Sequence, residues 1–290
     1  MVNSIQQKRF TVQGFRTHCY WAGESGAHIL LLHGAGVDSA LLSWGDVIGP
    51  LAELYRVYAP DLPGYGRTEY KADISYSNTF YTRFIHDLIQ ELRLEKPILI
   101  GLSMGGSIAI EYALTYPRQV KALGLVCSYG LLDRWPGHCL TYHGYVNTPL
   151  NALSYKLLAK SRFLIKQLLK AGLIYNPHNI NEKLIDQIQQ AAQSPHAGKA
   201  FQSFQKSEYL GRGGLKSNFM QRLSEIKVPV LILHGTHDRT VPVKYAHHAH
   251  QRIPNSELHL MKKTRHWPQK ERPDEFVQVV TSFLQKIGVE

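Results

Sequence analysis

The segment Gly101-Leu102-Ser103-Met104-Gly105 sets one hydroxyl between two glycines, after the apolar run Ile98–Leu102 and before a helix-forming stretch that opens at Met104. A strand that turns sharply into a helix forces the residue at the bend into a strained backbone conformation. It also demands small residues two positions away on either side, because larger side chains would collide across the turn. The product is a hydroxyl presented at a strand end, with the Met104 N–H at a helix start where the dipole favours negative charge. That serine suits attack on a carbonyl, and that amide suits the oxyanion the attack creates. Gly106 extends the small-residue run and predicts close packing of the helix on the sheet.

A serine hydroxyl is a weak nucleophile and needs a base, which in turn needs an orienting acid. Asp238 closes the segment His234-Gly235-Thr236-His237-Asp238, behind the strand-like Val228–Leu233. His266 lies in Lys262-Lys263-Thr264-Arg265-His266-Trp267, behind the strand-like Leu258–Met261. Ser103, Asp238 and His266 then follow one another in the chain order nucleophile, acid, base. Asp133, behind the strand ending near Cys127, is the runner-up acid, and His237 is the weakest rival base. His247, His248 and His250 read as a surface helix face, so no metal site is expected there. A second oxyanion donor is expected from the loop His33-Gly34-Ala35-Gly36 behind His28–Leu32. The Ala35 amide is the first choice, with Gly36 the alternative.

These groups need a scaffold that gathers strand ends along one edge, and the chain reads as one. Strand signals at Lys8–Val12 and His18–Trp21 form an opening hairpin. Short apolar runs at His28–Leu32, Arg56–Ala59, Ile98–Leu102 and Ala122–Cys127 then alternate with helical patterns at Ser77–Leu94 and Met104–Tyr116. The alternation stops near Tyr129, where amphipathic patches such as Tyr155–Ala171 and Asn181–Gln193 appear without a strand. It resumes at Val228 and ends in a helix over Pro273–Ile287. The expectation is an α/β protein with a mostly parallel twisted sheet carrying a helical insertion: core 1–128, insertion 129–225, core 226–290.

The formal charge of the 290 residues is +11, and the stretch 131–225 holds 12 Lys or Arg against 5 Asp or Glu. No basic run interleaved with aromatics argues for nucleic acid, and no apolar run approaches a membrane span. A basic rim matched to an anionic small molecule is the sharper reading of the excess, and a solvated helical surface the plainer one. Three scattered cysteines, Cys19, Cys127 and Cys139, exclude a disulfide framework or a zinc-type pair. The opening MVNSIQQKRFTVQG lacks the apolar core of a secretory leader, which predicts a cytoplasmic protein.

The motifs HGAG (33–36), APDLPGYGRT (59–68), GLSMGG (101–106), HGTHDRTVP (234–242) and RHWPQKERPDEF (265–276) together resemble the α/β-hydrolase superfamily over nearly the whole chain. The resemblance implies a catalytic triad Ser103–Asp238–His266, no metal or organic cofactor, and a helical cap closing over the site. Ser103 sets the chain apart from the dehalogenases and epoxide hydrolases of the superfamily, whose nucleophile is Asp. SMGG and HWPQKERPDEF are similar to meta-cleavage-product hydrolases, which cut carbon–carbon bonds in ring-opened aromatic acids. Leu102 stands where those enzymes usually carry Asn, and HGAGVDS lacks their longer glycine-proline run. The first expectation is therefore carboxylic-ester hydrolysis through an acyl-enzyme, with C–C hydrolysis or acyl transfer to an alcohol or peroxide as alternatives. The substrate is expected to be a small ester or carbonyl compound, with an anionic group suiting the basic segment. Trp267, Leu102, Trp135 and Tyr142 are candidate pocket residues, and Arg134, Arg162 and Arg212 candidate carboxylate binders.

Overall fold

Strands β1 (Gln6–Val12) and β2 (Phe15–Ala22) form the opening hairpin, pairing antiparallel from Gln6 opposite Trp21 to Val12 opposite Phe15. The structure, a computed structural model, describes residues 4–289; residues 1–3 and 290 lie outside it. Strands β3 (His28–Leu32), β4 (Arg56–Pro60), β5 (Ile98–Leu102), β6 (Ala122–Val126), β7 (Val230–Gly235) and β8 (Ser256–Met261) complete one eight-stranded sheet. The spatial order is β1-β2-β4-β3-β5-β6-β7-β8, antiparallel from β1 to β4 and parallel from β4 to β8.

The composition of the strands explains this arrangement. Every residue of β5 and β6 is buried, as continuous apolar runs must be in a parallel sheet covered on both faces. One face packs on Trp44, Ile48, Leu51 and Phe276, the other on Tyr81, Phe84, Leu88 and Ile108. Helix Asn78–Glu91 starts where the Ser77 side chain accepts from Phe80 N–H at 3.1 Å. It buries Tyr81, Phe84, Ile85 and Leu88, the spacing of one helical face. The strand order reverses around β3 and β5, so the loops behind these neighbours open onto the edge where doubly wound sheets bind ligands.

Between β6 and β7 the chain forms helices Pro149–Lys160, Arg162–Leu168, Glu182–Ala192 and Lys199–Glu208, with short turns among them. Among the described residues of this stretch the only β pairing is one isolated bridge, Tyr209 with Leu215. The amphipathic patch Tyr155–Ala171 is two helices, not one. Ser161 is extended at φ −130°, and its side chain caps the second helix by accepting from Leu164 N–H at 3.2 Å. Helices Ala40–Trp44 and Ile48–Leu51 were not signalled by periodicity, being shorter than the two turns a pattern needs.

Candidate active site

Ser103 is the bend between β5 and helix Met104–Thr115, with φ 51° and ψ −114°. A non-glycine residue there carries about 1–3 kcal/mol of strain, held by the packing around it. A Cβ on Gly101 would be driven into the Gly105 carbonyl, and one on Gly105 into the Leu32 carbonyl. Gly101 is therefore demanded by the turn itself, and Gly105 by the close approach of β3. The Ser103 carbonyl accepts from the N–H groups of Gly106 and Tyr129, and its own N–H donates to Val126.

Asp238 and His266 come together from neighbouring strand ends: Asp238 Oδ2 lies 2.7 Å from His266 Nδ1, and both side chains are buried. The other carboxylate oxygen, Oδ1, accepts from Thr240 N–H at 2.7 Å and Val241 N–H at 3.0 Å. Burial opposes ionisation of Asp238. The His266 imidazole, with His234 and the Val241 amide, outweighs it and holds the carboxyl below its usual value. His234 sits behind the pair at 3.5 Å from Oδ2, with Nε2 facing the Val241 carbonyl at 2.8 Å, and burial lowers its pKa. It does not line the cavity that Ser103 and His266 enter.

Ser103, Met104 and His266 line one cavity of about 440 Å³ together with Gly34, Ala35 and Gly36. Neither the Ala35 nor the Met104 amide has an acceptor among the described residues. The loop is held from behind by Asp38, which the sequence reading missed. Its carboxylate accepts from Gly34 N–H at 2.8 Å, Ser39 N–H at 2.7 Å and Ser43 Oγ at 2.7 Å. Burial raises its pKa against these bonds. The signal was an acid inside a glycine loop, five residues before a serine that could return to it. Across the loop lies a second, more polar cavity of about 590 Å³ that includes none of Ser103, Asp238 and His266.

The inserted helices supply the far wall: Trp135, Tyr145, Tyr155, Leu158, Leu168, Leu173, Phe201 and Phe204. Trp267 joins them, and its N–H donates to the Leu173 carbonyl at 3.2 Å. Glu271 fastens the same junction, accepting from Arg265 N–H at 2.7 Å, Tyr175 N–H at 2.8 Å and Asn176 N–H at 3.0 Å. The histidine loop and the inserted wall are thereby fixed to one another. Of the candidate pocket residues, Trp267 and Trp135 line the cavity. Leu102 does not: it is wholly buried in the core. Tyr142 is also outside it, stacked on Tyr209 with ring centroids 3.7 Å apart.

The rival groups are occupied elsewhere. Asp133 accepts from Tyr245 Oη at 2.5 Å, a bond that keeps its pKa low, and His237 Nδ1 pairs with Thr236 Oγ1 at 2.9 Å. Arg162 is bound to Glu182 and Asp186, and Arg134 donates to the Arg212 carbonyl. None of Arg134, Arg162 and Arg212 reaches the cavity. The arginine that lines it is Arg239, one residue beyond Asp238 inside the motif HGTHDRTVP but not singled out there, and its guanidinium donates to the Ala171 carbonyl at 3.4 Å. Among the described residues one group has metal-ligand types in reach, Cys127, His234 and Asp238, with candidate atoms within 4.8 Å of one another. The carboxylate and imidazole hold hydrogen bonds to His266 and the Val241 carbonyl, and burial pushes the Cys127 thiol far above its usual pKa.

A family model described as alpha/beta hydrolase fold matches residues 27–273. The chain is similar to 2-hydroxymuconate semialdehyde hydrolase of Pseudomonas putida, 29% identical over 275 residues, covering 93% of this chain and 91% of that one. Two solved structures superpose at 26% identity. One is a meta-cleavage product hydrolase from Pseudomonas fluorescens IP01, TM-score 0.81, covering 96% of this chain and 97% of that one. The other is a candidate lipase from Acinetobacter baumannii AYE, TM-score 0.82, covering 98% and 92%. With this match across most of its length, on a parallel sheet whose loops gather at one cavity, the chain belongs to the α/β-hydrolase family.

Proposed function

We propose that this hydrolase cleaves carboxylic esters through an acyl-enzyme on Ser103. His266 takes the serine proton as Oγ attacks the carbonyl carbon, and Asp238 holds the imidazole with Nδ1 protonated, leaving Nε2 free to accept. The Ala35 and Met104 amides donate to the tetrahedral oxyanion. His266 then gives the proton to the departing alkoxide, and afterwards draws one from water as it attacks the acyl carbon. The single observation that supports the reading most is the Asp238–His266 bond of 2.7 Å opening into the cavity that Ser103 enters.

The far wall supports an apolar acyl or alcohol group of moderate size, since a cavity of about 440 Å³ lies in the range of small-ligand sites. Arg239 at the cavity favours a second reading, C–C hydrolysis of a ring-opened dienoic acid whose carboxylate it would meet. The relatives named for that chemistry lend it weight. The ester reading stands first because Arg239 is exposed and the rest of the wall is mainly apolar, with Ser154, Gln205 and Thr240 as neutral polar members. The test is Ser103→Ala, assayed on a p-nitrophenyl ester and on a ring-cleavage product side by side. Loss of about 10³-fold or more in ester turnover with an unchanged unfolding temperature is expected. Retained turnover, or wild-type activity confined to the ring-cleavage product, overturns the reading.

A further inference from the structure

Ten large hydrophobic side chains are exposed among the described residues, and seven of them fall between 140 and 168. That is a cluster, not a scatter of tolerated surface leucines. In helix Pro149–Lys160, Leu150, Leu153 and Leu157 recur at i, i+3 and i+7, within about 60° of one another around the axis. One edge of this stripe adjoins Ser154 and Leu158, which line the cavity. The next helix, which packs on this one, adds exposed Leu164 and Leu168, and Phe163 is 67% exposed. Leu168 is both exposed and part of the cavity wall, so the apolar band runs from the surface to the substrate space.

Charge within the two helices that carry the band has one sign. From 149 to 170 the chain has five Lys or Arg and no Asp or Glu. Arg162 and Lys166 are engaged by Glu182 and Asp186, whereas Lys156, Lys160 and Lys170 have no ion-pair partner among the described residues. On the helix, Lys156 and Lys160 follow the leucine stripe on the side away from the cavity.

We propose that this face docks on an anionic lipid surface. The leucines and Phe163 enter the boundary between headgroups and acyl chains, the free lysines meet lipid phosphates, and the cavity takes a lipophilic ester from that surface. An apolar stripe rimmed by lysines is what such an interface requires: burial supplies part of the affinity, and each lysine adds attraction to the anionic leaflet. A second copy suits it less, because the carboxylates beside the band, Glu182 and Asp186, are already paired with Arg162 and Lys166, and a two-fold pairing would bring the unpaired lysines of two copies together. No helix among the described residues is long and apolar enough to cross a membrane, and the proposed contact requires none. The identity of the substrate rests on the ester reading; the docking does not.

The experiment is co-sedimentation of the full chain with vesicles of phosphatidylcholine alone or mixed with phosphatidylglycerol, at low and high salt. Binding is expected to the mixed vesicles and to weaken with salt. Lys156→Glu/Lys160→Glu and Leu153→Glu/Leu157→Glu should each lower it by about ten-fold or more while turnover of a soluble short-chain ester stays unchanged. No sedimentation, equal sedimentation with both vesicle types, or variants that bind like wild type would overturn the proposal. So would a dimer by light scattering that the Leu153→Glu/Leu157→Glu variant splits, since a second copy would then own the face. Vesicle binding without ester turnover would instead leave the surface standing and remove the ester reading.

Discussion

Replacing Asp238 by Asn tests the site at its most specific point, because the surroundings dictate how the amide must sit. Oδ1 of Asp238 receives two backbone donors, Thr240 N–H at 2.7 Å and Val241 N–H at 3.0 Å. Only the carbonyl oxygen of an asparagine satisfies both, and turning the NH2 toward them would leave two amide donors without an acceptor, at about 1–3 kcal/mol each. The asparagine NH2 is therefore directed at His266 Nδ1, where the carboxylate oxygen lies at 2.7 Å in the native protein. Facing a donor, Nδ1 must accept, and the ring proton moves to Nε2. The imidazole then cannot take the Ser103 proton, although every heavy atom keeps its place. The expected loss is about 10⁴ in kcat, or about 5.5 kcal/mol of barrier. The assay is turnover of a chromogenic ester, alongside nitrogen NMR of the imidazole to read which ring nitrogen carries the proton. Asp133→Asn is the control: its partner is Tyr245, and the effect should stay within about three-fold. An Asp238→Asn enzyme within ten-fold of wild type, or a large loss in the Asp133 variant, would refute the assignment.

Two further outcomes follow from groups around this centre. Arg239→Gln should raise KM for an ester carrying a free carboxylate by about ten-fold and leave the neutral ester of equal length unchanged, because an exposed guanidinium contributes mainly through charge-assisted bonds; equal effects on both substrates would count against a carboxylate subsite. Burial raises Glu208 from the usual 4.5 to about 7, against the bonds it accepts from Ser217 N–H and Oγ, both at 2.9 Å. The folded state therefore binds this proton more tightly than the unfolded chain, so its stabilisation is complete below pH 4.5 and lost as pH rises through about 7. Glu208→Gln, which cannot ionise, should be more stable than wild type at pH 8 by up to about 3 kcal/mol and lose that advantage near pH 4.5, as read by urea unfolding across the range; parallel pH profiles would show that the carboxyl stays ionised in the fold.

What was legible in the sequence was whatever local sterics or strand composition dictate. Gly101 is forced by a backbone carbonyl four residues away and Gly105 by the Leu32 carbonyl of the neighbouring strand, while the parallel strands follow from the need to cover both faces, so GLSMG, HILLL and VLILHG stand out in the sequence. Asp238 and His266 were legible for a related reason: each stands in the loop behind a strand, and parallel strands deliver such loops to one edge. Leu102, Asp38 and Arg239 show where this logic ends. Leu102 sits on the strand beside the nucleophile, but alternation turns its side chain into the core, so adjacency in sequence misled. Asp38 holds the loop of Ala35 through bonds from Gly34 N–H, Ser39 N–H and Ser43 Oγ that depend on the folded course of the loop, and Arg239 lines the cavity through the course of its own loop, not through any spacing. The inserted wall is the extreme case. Its aromatic residues share one composition, yet Phe201 and Phe204 face the cavity, Tyr209 stacks on Tyr142, and Phe163 faces outward. Helix packing decides among these by small differences in crossing geometry that leave no mark on residue type. Specificity in this protein is therefore written where sequence pattern is weakest, and the chemistry where it is strongest, because bond-making atoms tolerate little displacement while a pocket wall needs only volume and polarity.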